Sequence, residues 1–111
     1  MSPSSSPLLD MLKAARLALE FLGGMDVKSF RADRKTQSAV LHQLLILGEA
    51  AKRVPLDVRR RFEAIPWKQI AGMRDRLIHA YDNVSVRRVW STVRRRLPPL
   101  IRELEEICRI M

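Results

Sequence analysis

The residues that could do chemistry sit in one short stretch, RDRLIHAYDNV, residues 74 to 84. Arg74, His79 and Tyr81 follow the spacing Arg, four residues, His, one residue, Tyr. A guanidinium keeps its charge in any protein environment, so Arg74 requires a carboxylate, a wet cleft or an anionic ligand. An imidazole moves protons near neutral pH. A phenol can contact phosphate or stack on a base. A fixed cation beside a proton carrier is suited to handling a phosphate ester.

The element carrying these groups is a helix starting near Trp67. At about 100° per residue, Trp67, Ile70, Met73, Leu77, Ile78, Tyr81 and Val84 share one wide apolar face, with Arg74 near its middle. Two readings of Arg74 stay open. It either snorkels out or pairs with Glu49 as a structural bridge, or it waits for an anion. His79 lies about 140° round the helix from Arg74 and shares its face with Asp75, which could orient the imidazole. One continuous helix therefore does not close an Arg–His site. Either the helix loosens near Asp82 and Asn83, or a second copy of the chain faces it across a two-fold axis.

The rest of the chain reads as helices with no strand pattern. A first helix runs from about Leu8 to Leu22 and stops at Gly23-Gly24. Asp26 can cap a short turn, VKSF. Asp33 or Thr36 can start a second long helix that reaches about Val54 before Pro55. Its apolar positions, from Val40 and Leu41 through Leu44, Leu45 and Leu47 to Ala51, cover more than one stripe. Such a helix is central in a bundle or shared with a second chain. Glu49 is embedded in that arc as a possible charge partner for a buried arginine. A short helix, LDVRRRFEAI, leads to Pro66. The last helix begins near Ser85, and Pro98-Pro99 must kink or restart it. Arg87, Arg88, Arg94 and Arg95 fall largely on the face opposite its apolar stripe, and the RRR runs at 59–61 and 94–96 read mainly as solvated faces. The expected fold is all-α, an antiparallel bundle of four to five helices, with residues 1–7 a flexible tail and 8–111 a single domain.

Composition narrows the function classes. Hydrophobic residues make up 47% of the chain, which excludes a disordered protein. A net charge of +9 points to polyanions, nucleic acid among them, or to an acidic partner protein. Cys108 is the only cysteine, so no internal disulfide can form, and a cytoplasmic setting is expected. No zinc ligand set or catalytic cysteine is visible, so no metal or cofactor is expected. No segment approaches the length of a bilayer span, and the Ser/Pro-rich start is too short for a signal peptide. Cys108, Trp67 and Trp90 fall at stripe positions and read as core. His42 reads as an ordinary core or surface histidine.

The stretch RDRLIHAY resembles the HEPN superfamily and specifically the HepT-like toxins. FRADRKTQSAVLHQLLILGEAAKRVP and IPWKQIAGMRDRLIHAYDNV resemble the two main blocks of that family, and the likeness extends from Met11 to about Leu104. Asp75 stands where such proteins often have Asn, and Ala80 where they often have Gly. The resemblance implies a metal-independent endoribonuclease working as a homodimer with its cleft at the dimer interface. It also implies a small nucleotidyltransferase antitoxin that attaches AMP to the motif tyrosine, by position Tyr81. In that scheme His79 is general base or acid, Arg74 clamps the phosphate and Asp75 orients His79. RNA supplies its own 2′-hydroxyl nucleophile. The alternative is a non-catalytic helical module that docks on a nucleotidyltransferase. A DNA-binding regulator is weaker, because no helix-turn-helix pattern is evident.

Overall fold

The computed structural model describes residues 5–79 and 85–111, with side chains described for 6–77 and 85–111. Every regular element among them is helical: α1 (Ser5–Leu22), α2 (Val27–Arg31), α3 (Arg34–Arg53), α4 (Leu56–Arg61), α5 (Trp67–His79), α6 (Val86–Ser91), a π-helical turn (Thr92–Arg96) and α7 (Leu97–Ile110). The all-α expectation holds.

Local chemistry explains the boundaries. The first helix begins at Ser5, before the expected Leu8, so residues 5–7 belong to α1 rather than to a tail. Pro7 is tolerated there because first-turn N–H groups have no helical partner to lose. Gly23 adopts φ 56°, the left-handed conformation that ends helices, and its N–H bonds the Leu19 carbonyl at 3.0 Å. Asp26 accepts from the Ser29 N–H at 2.8 Å and opens α2. Asp33 accepts from both the N–H (3.0 Å) and the hydroxyl (2.8 Å) of Thr36 and opens α3. The bonds from Thr36, led by its backbone N–H, hold the Asp33 carboxyl below its ordinary value. Ser85 caps α6, accepting from the Arg88 N–H at 3.3 Å.

The helix α3 is central, as its wide apolar arc suggested. It packs on α1 along one side and on α5 along the other. Leu8, Met11, Ala15, Ala18 and Leu22 of α1 meet its Val40, Leu44, Leu47 and Ala51 in one core that α7 closes with Leu97, Leu100, Leu104 and Ile107. An ion pair at 2.8 Å ties Asp10, early in α1, to Arg53, the last residue of α3, so these two helices run antiparallel.

Three expectations change. Arg59 is not a solvated charge. Its Nη2 donates to the Ala51 and Lys52 carbonyls, each at 3.0 Å, and its Nε to that of Val54 at 3.1 Å. The last carbonyls of a helix lack N–H partners, and the guanidinium fork of Arg59 supplies them from α4. Arg94 does not lie opposite the stripe either. It is half-buried, with its guanidinium carbon 5.7 Å from the Trp90 ring centroid, and it donates to the Met25 carbonyl at 2.8 Å. The cause is Pro98-Pro99, which provide no N–H and crowd the carbonyls one turn back. The chain widens to π geometry, with the Leu97 N–H bonding Thr92 five residues back, and this shifts the register of the arginines. Trp90, finally, is only half-buried, and its indole N–H donates to that same Met25 carbonyl at 2.9 Å. Trp67 is buried, and its indole N–H is shared between the Arg59 and Phe62 carbonyls. Cys108 is half-buried, and burial pushes its thiol up.

Candidate functional site

The site grows from the contact between α3 and α5. A helix places Gly in its interior at a cost of about 0.5–1 kcal/mol relative to Ala, so an interior Gly calls for a reason. At Gly48 the reason is α5. A Cβ added there would lie 2.2 Å from the Cβ of Arg74, 3.1 Å from its Cγ and 3.1 Å from the Ile70 carbonyl oxygen. The two helices touch through this gap, and Ile70 and Leu77 are buried on either side of it.

The gap seats the stem of Arg74, and this resolves the arginine in an apolar stripe. The aliphatic part lies over Gly48, while the guanidinium emerges at the rim with the side chain 31% exposed. There Nε lies 3.0 Å from Glu49 Oε2, and Nη1 donates to Asp75 Oδ1 at 3.0 Å. Lys52, one turn beyond Glu49 on α3, donates to the same Asp75 oxygen at 2.6 Å. The hydrogen bond from Lys52, then that from Arg74, holds the Asp75 carboxyl below its ordinary range, so it is an anion at neutral pH. Two cations and two carboxylates alternate across the helix pair.

Of the residues singled out in the sequence, Arg74, Asp75 and Glu49 come together here. Arg74 both snorkels to the rim and pairs with Glu49, so the two structural roles open to it in the sequence are combined in one conformation. The backbone of His79 ends α5, about 7.5 Å along the axis from Arg74 at 1.5 Å per residue. The His79 side chain and all of Tyr81 lie outside the described residues. Sequence reasoning missed Lys52 and Gly48. The signal for Gly48 was its place in the interior of a strong helix. Lys52 sits one turn from Glu49, but nothing in one dimension says that α5 brings Asp75 to it.

His42 is exposed on α3. Among the described residues, no three His, Cys, Asp or Glu side chains are placed to hold a metal ion. No helix among them is long and apolar enough to cross a membrane.

The chain has clear relatives. The family model described as ribonuclease HepT-like matches residues 11–107. A protein of Thermococcus cleftensis named "Probable ribonuclease HepT" is 43% identical over 100 residues, covering 90% of this chain and 91% of the relative. One of Methanocaldococcus jannaschii named "Putative RNase MJ0127" is 36% identical over 102 residues, covering 92% of this chain and 84% of the relative. No solved structure gives a match.

Proposed function

Because the chain belongs to the HepT-like ribonuclease family, we propose that it is an endoribonuclease that cuts RNA without a metal, using Arg74 and His79. The observation that carries the residue assignment is Arg74 itself. Its stem is seated over Gly48, and its head is held at the rim by Glu49 and Asp75. Those contacts use Nε and Nη1, and Nη2 is the donor that an incoming phosphate would meet. Two anions fix the guanidinium plane before substrate arrives, and a fixed charge stabilises a transition state without reorganising during the reaction.

The reaction proceeds by transfer within the RNA. His79 takes the proton of a 2′-hydroxyl, the 2′ oxygen bonds to the adjacent phosphorus, and the bond from phosphorus to the 5′ oxygen breaks. The leaving oxygen receives a proton from an imidazolium or from water. The products are a 2′,3′-cyclic phosphate and a 5′-hydroxyl, and Arg74 balances the charge of the phosphorane between them. In this reading two copies of the chain form a homodimer, and the cleft between them brings Arg74 and His79 together despite their 140° separation on one helix. The test is labelled RNA incubated with purified protein in EDTA, followed by analysis of the fragment ends. Cyclic phosphates at undiminished rate are expected. Cleavage that EDTA stops, or ends carrying a 3′-hydroxyl, would refute the mechanism.

Control of the activity falls to Tyr81, within reach in sequence of both residues. AMP attached there by a nucleotidyltransferase antitoxin would set a phosphate beside Arg74 and exclude RNA by charge and bulk. The Tyr81→Phe variant is then expected to stay active in the presence of such an enzyme and ATP, and to gain no AMP by mass. An AMP adduct on that variant removes Tyr81 from the scheme.

A second reading is a non-catalytic module that docks on a nucleotidyltransferase. The closed ion pairing of Arg74 favours it, because a guanidinium satisfied by two carboxylates can be purely structural. Folded, unmodified wild-type protein that leaves every RNA intact would select this reading.

A further inference from the structure

A groove of about 590 Å³ lies between α5 and the continuous rod made by α6, the π turn and α7. Four exposed arginines line it, Arg76 on α5 and Arg88, Arg95 and Arg96 on the facing rod. Among the described residues, Glu103 is the one carboxylate in the lining. Among the described residues none of these four arginines is paired with a carboxylate, whereas Arg16, Arg53, Arg74 and Arg109 each are. Among the described residues the lining therefore carries an excess of positive charge.

We propose that this groove is a second RNA-contact site, holding a short single-stranded segment away from the bond being cut. The choice of RNA rests on the ribonuclease reading above. Three observations favour it over an acidic peptide, which would also satisfy the charge. Arg88 and Arg95 are spaced about 10 Å apart along the rod at 1.5 Å per residue, so they can follow an extended phosphate backbone. The hydroxyls of Ser91 and Thr92 and the amide of Gln69 line the same space, and they can bond base edges and 2′-hydroxyls. Arginine also stacks its planar head on bases, and the apolar floor of Ile70, Met73 and Leu100 accepts their faces.

The position is distinct from that of Arg74. Arg76 follows Arg74 by two residues, about 200° round α5. The groove thus opens on another side of the helix from Arg74, while Arg76 precedes His79 by three residues, about 60° round α5, so a strand lying in the groove leads toward the His79 end and contributes grip rather than chemistry. Its effect must show on long substrates and vanish on short ones.

The decisive experiment pairs binding with cleavage. Binding is followed by fluorescence anisotropy of a labelled single-stranded oligonucleotide, 2′-O-methylated so that it cannot be cut, over a series of salt concentrations. Cleavage is followed on a dinucleotide too short to reach the groove. Arg88→Gln combined with Arg95→Gln is expected to weaken oligonucleotide binding about tenfold or more. The same pair is expected to flatten the slope of log affinity against log salt by about 1.4, at roughly 0.7 for each single-strand phosphate left without its arginine. Dinucleotide cleavage is expected at the wild-type rate. Unchanged affinity and slope would overturn the proposal. So would a labelled polyglutamate peptide that binds more tightly than the oligonucleotide and depends on the same two arginines, since the groove would then be a protein-docking surface. Should wild type leave long RNA uncut while the variant still loses oligonucleotide binding, the strand site stands and the catalytic reading fails.

Discussion

Arg74→Ala is expected to reduce RNA cleavage by about 10²–10³-fold, the effect of removing one preorganised charge from a developing oxyanion, with a modest loss of stability from the packing of its stem. The stability side follows from exposure. The Arg74 side chain is 31% exposed, Glu49 is 53% exposed, and Asp75 keeps its bond to Lys52. Water takes over the freed carboxylate, so the variant leaves no buried charge behind. His79→Ala is expected to lose about 10²–10⁴-fold through the missing proton transfer. Arg74→Lys separates charge from geometry. An ammonium restores the positive charge but lacks the planar fork that meets Glu49 and Asp75 while keeping a third donor for phosphate. It is expected to remain far below wild type. Single-turnover cleavage in EDTA, with circular dichroism melting on each variant, reads both quantities. Arg74→Ala cutting at the wild-type rate would sink the assignment outright.

Gly48→Ala is the second large effect, and it acts on stability first. Alanine normally stabilises a helix interior relative to glycine, by about 0.5–1 kcal/mol. Here its methyl would sit 2.2 Å from the Cβ of Arg74, an atom fixed to the α5 backbone, so the two helices must part. Overpacking of this kind costs about 1–3 kcal/mol, which exceeds the propensity gain. A net loss of about 1 kcal/mol lowers the melting temperature of a domain of this size by about 4–8 °C. Displacing α5 also moves Arg74 from Glu49, so cleavage should fall even where the variant is folded. Gly72→Ala is the control on α5 itself. Its methyl would meet only the far end of the flexible Arg76 side chain, at 3.3 Å, so stability should hold or rise slightly. Equal melting temperatures for the two variants would show that Gly48 is not the contact point.

Together the two variants test how the site is built. Gly48 sets how closely α3 and α5 approach, that approach lets Arg74 seat its stem, and the stem aims the head at Glu49 and Asp75. A change at Gly48 and a change at Arg74 are therefore expected to be non-additive, because each removes the same arrangement.

Much of the fold is written locally, and so it could be read in one dimension. Asp26, Asp33 and Ser85 cap helices by bonding an N–H three residues away, and Gly23 ends one by its own conformation. These forces act within a single turn, so residue order alone determines them. The apolar stripes of α1, α3 and α7 follow from the helical period, and with them the all-α class and the central place of α3. The spacing of Arg74, His79 and Tyr81 and the family they resemble are likewise properties of the chain as written. What only the tertiary structure decided are the meetings between elements. Arg59 finishes α3 from α4 because a tight turn folds it back. Arg94 joins Trp90 because two prolines force a π turn whose register no ideal helix predicts. Lys52 reaches Asp75, and Arg74 finds room in an apolar face, because α3 and α5 approach at Gly48, and such a contact is set by the packing of whole helices rather than by any short run of residues.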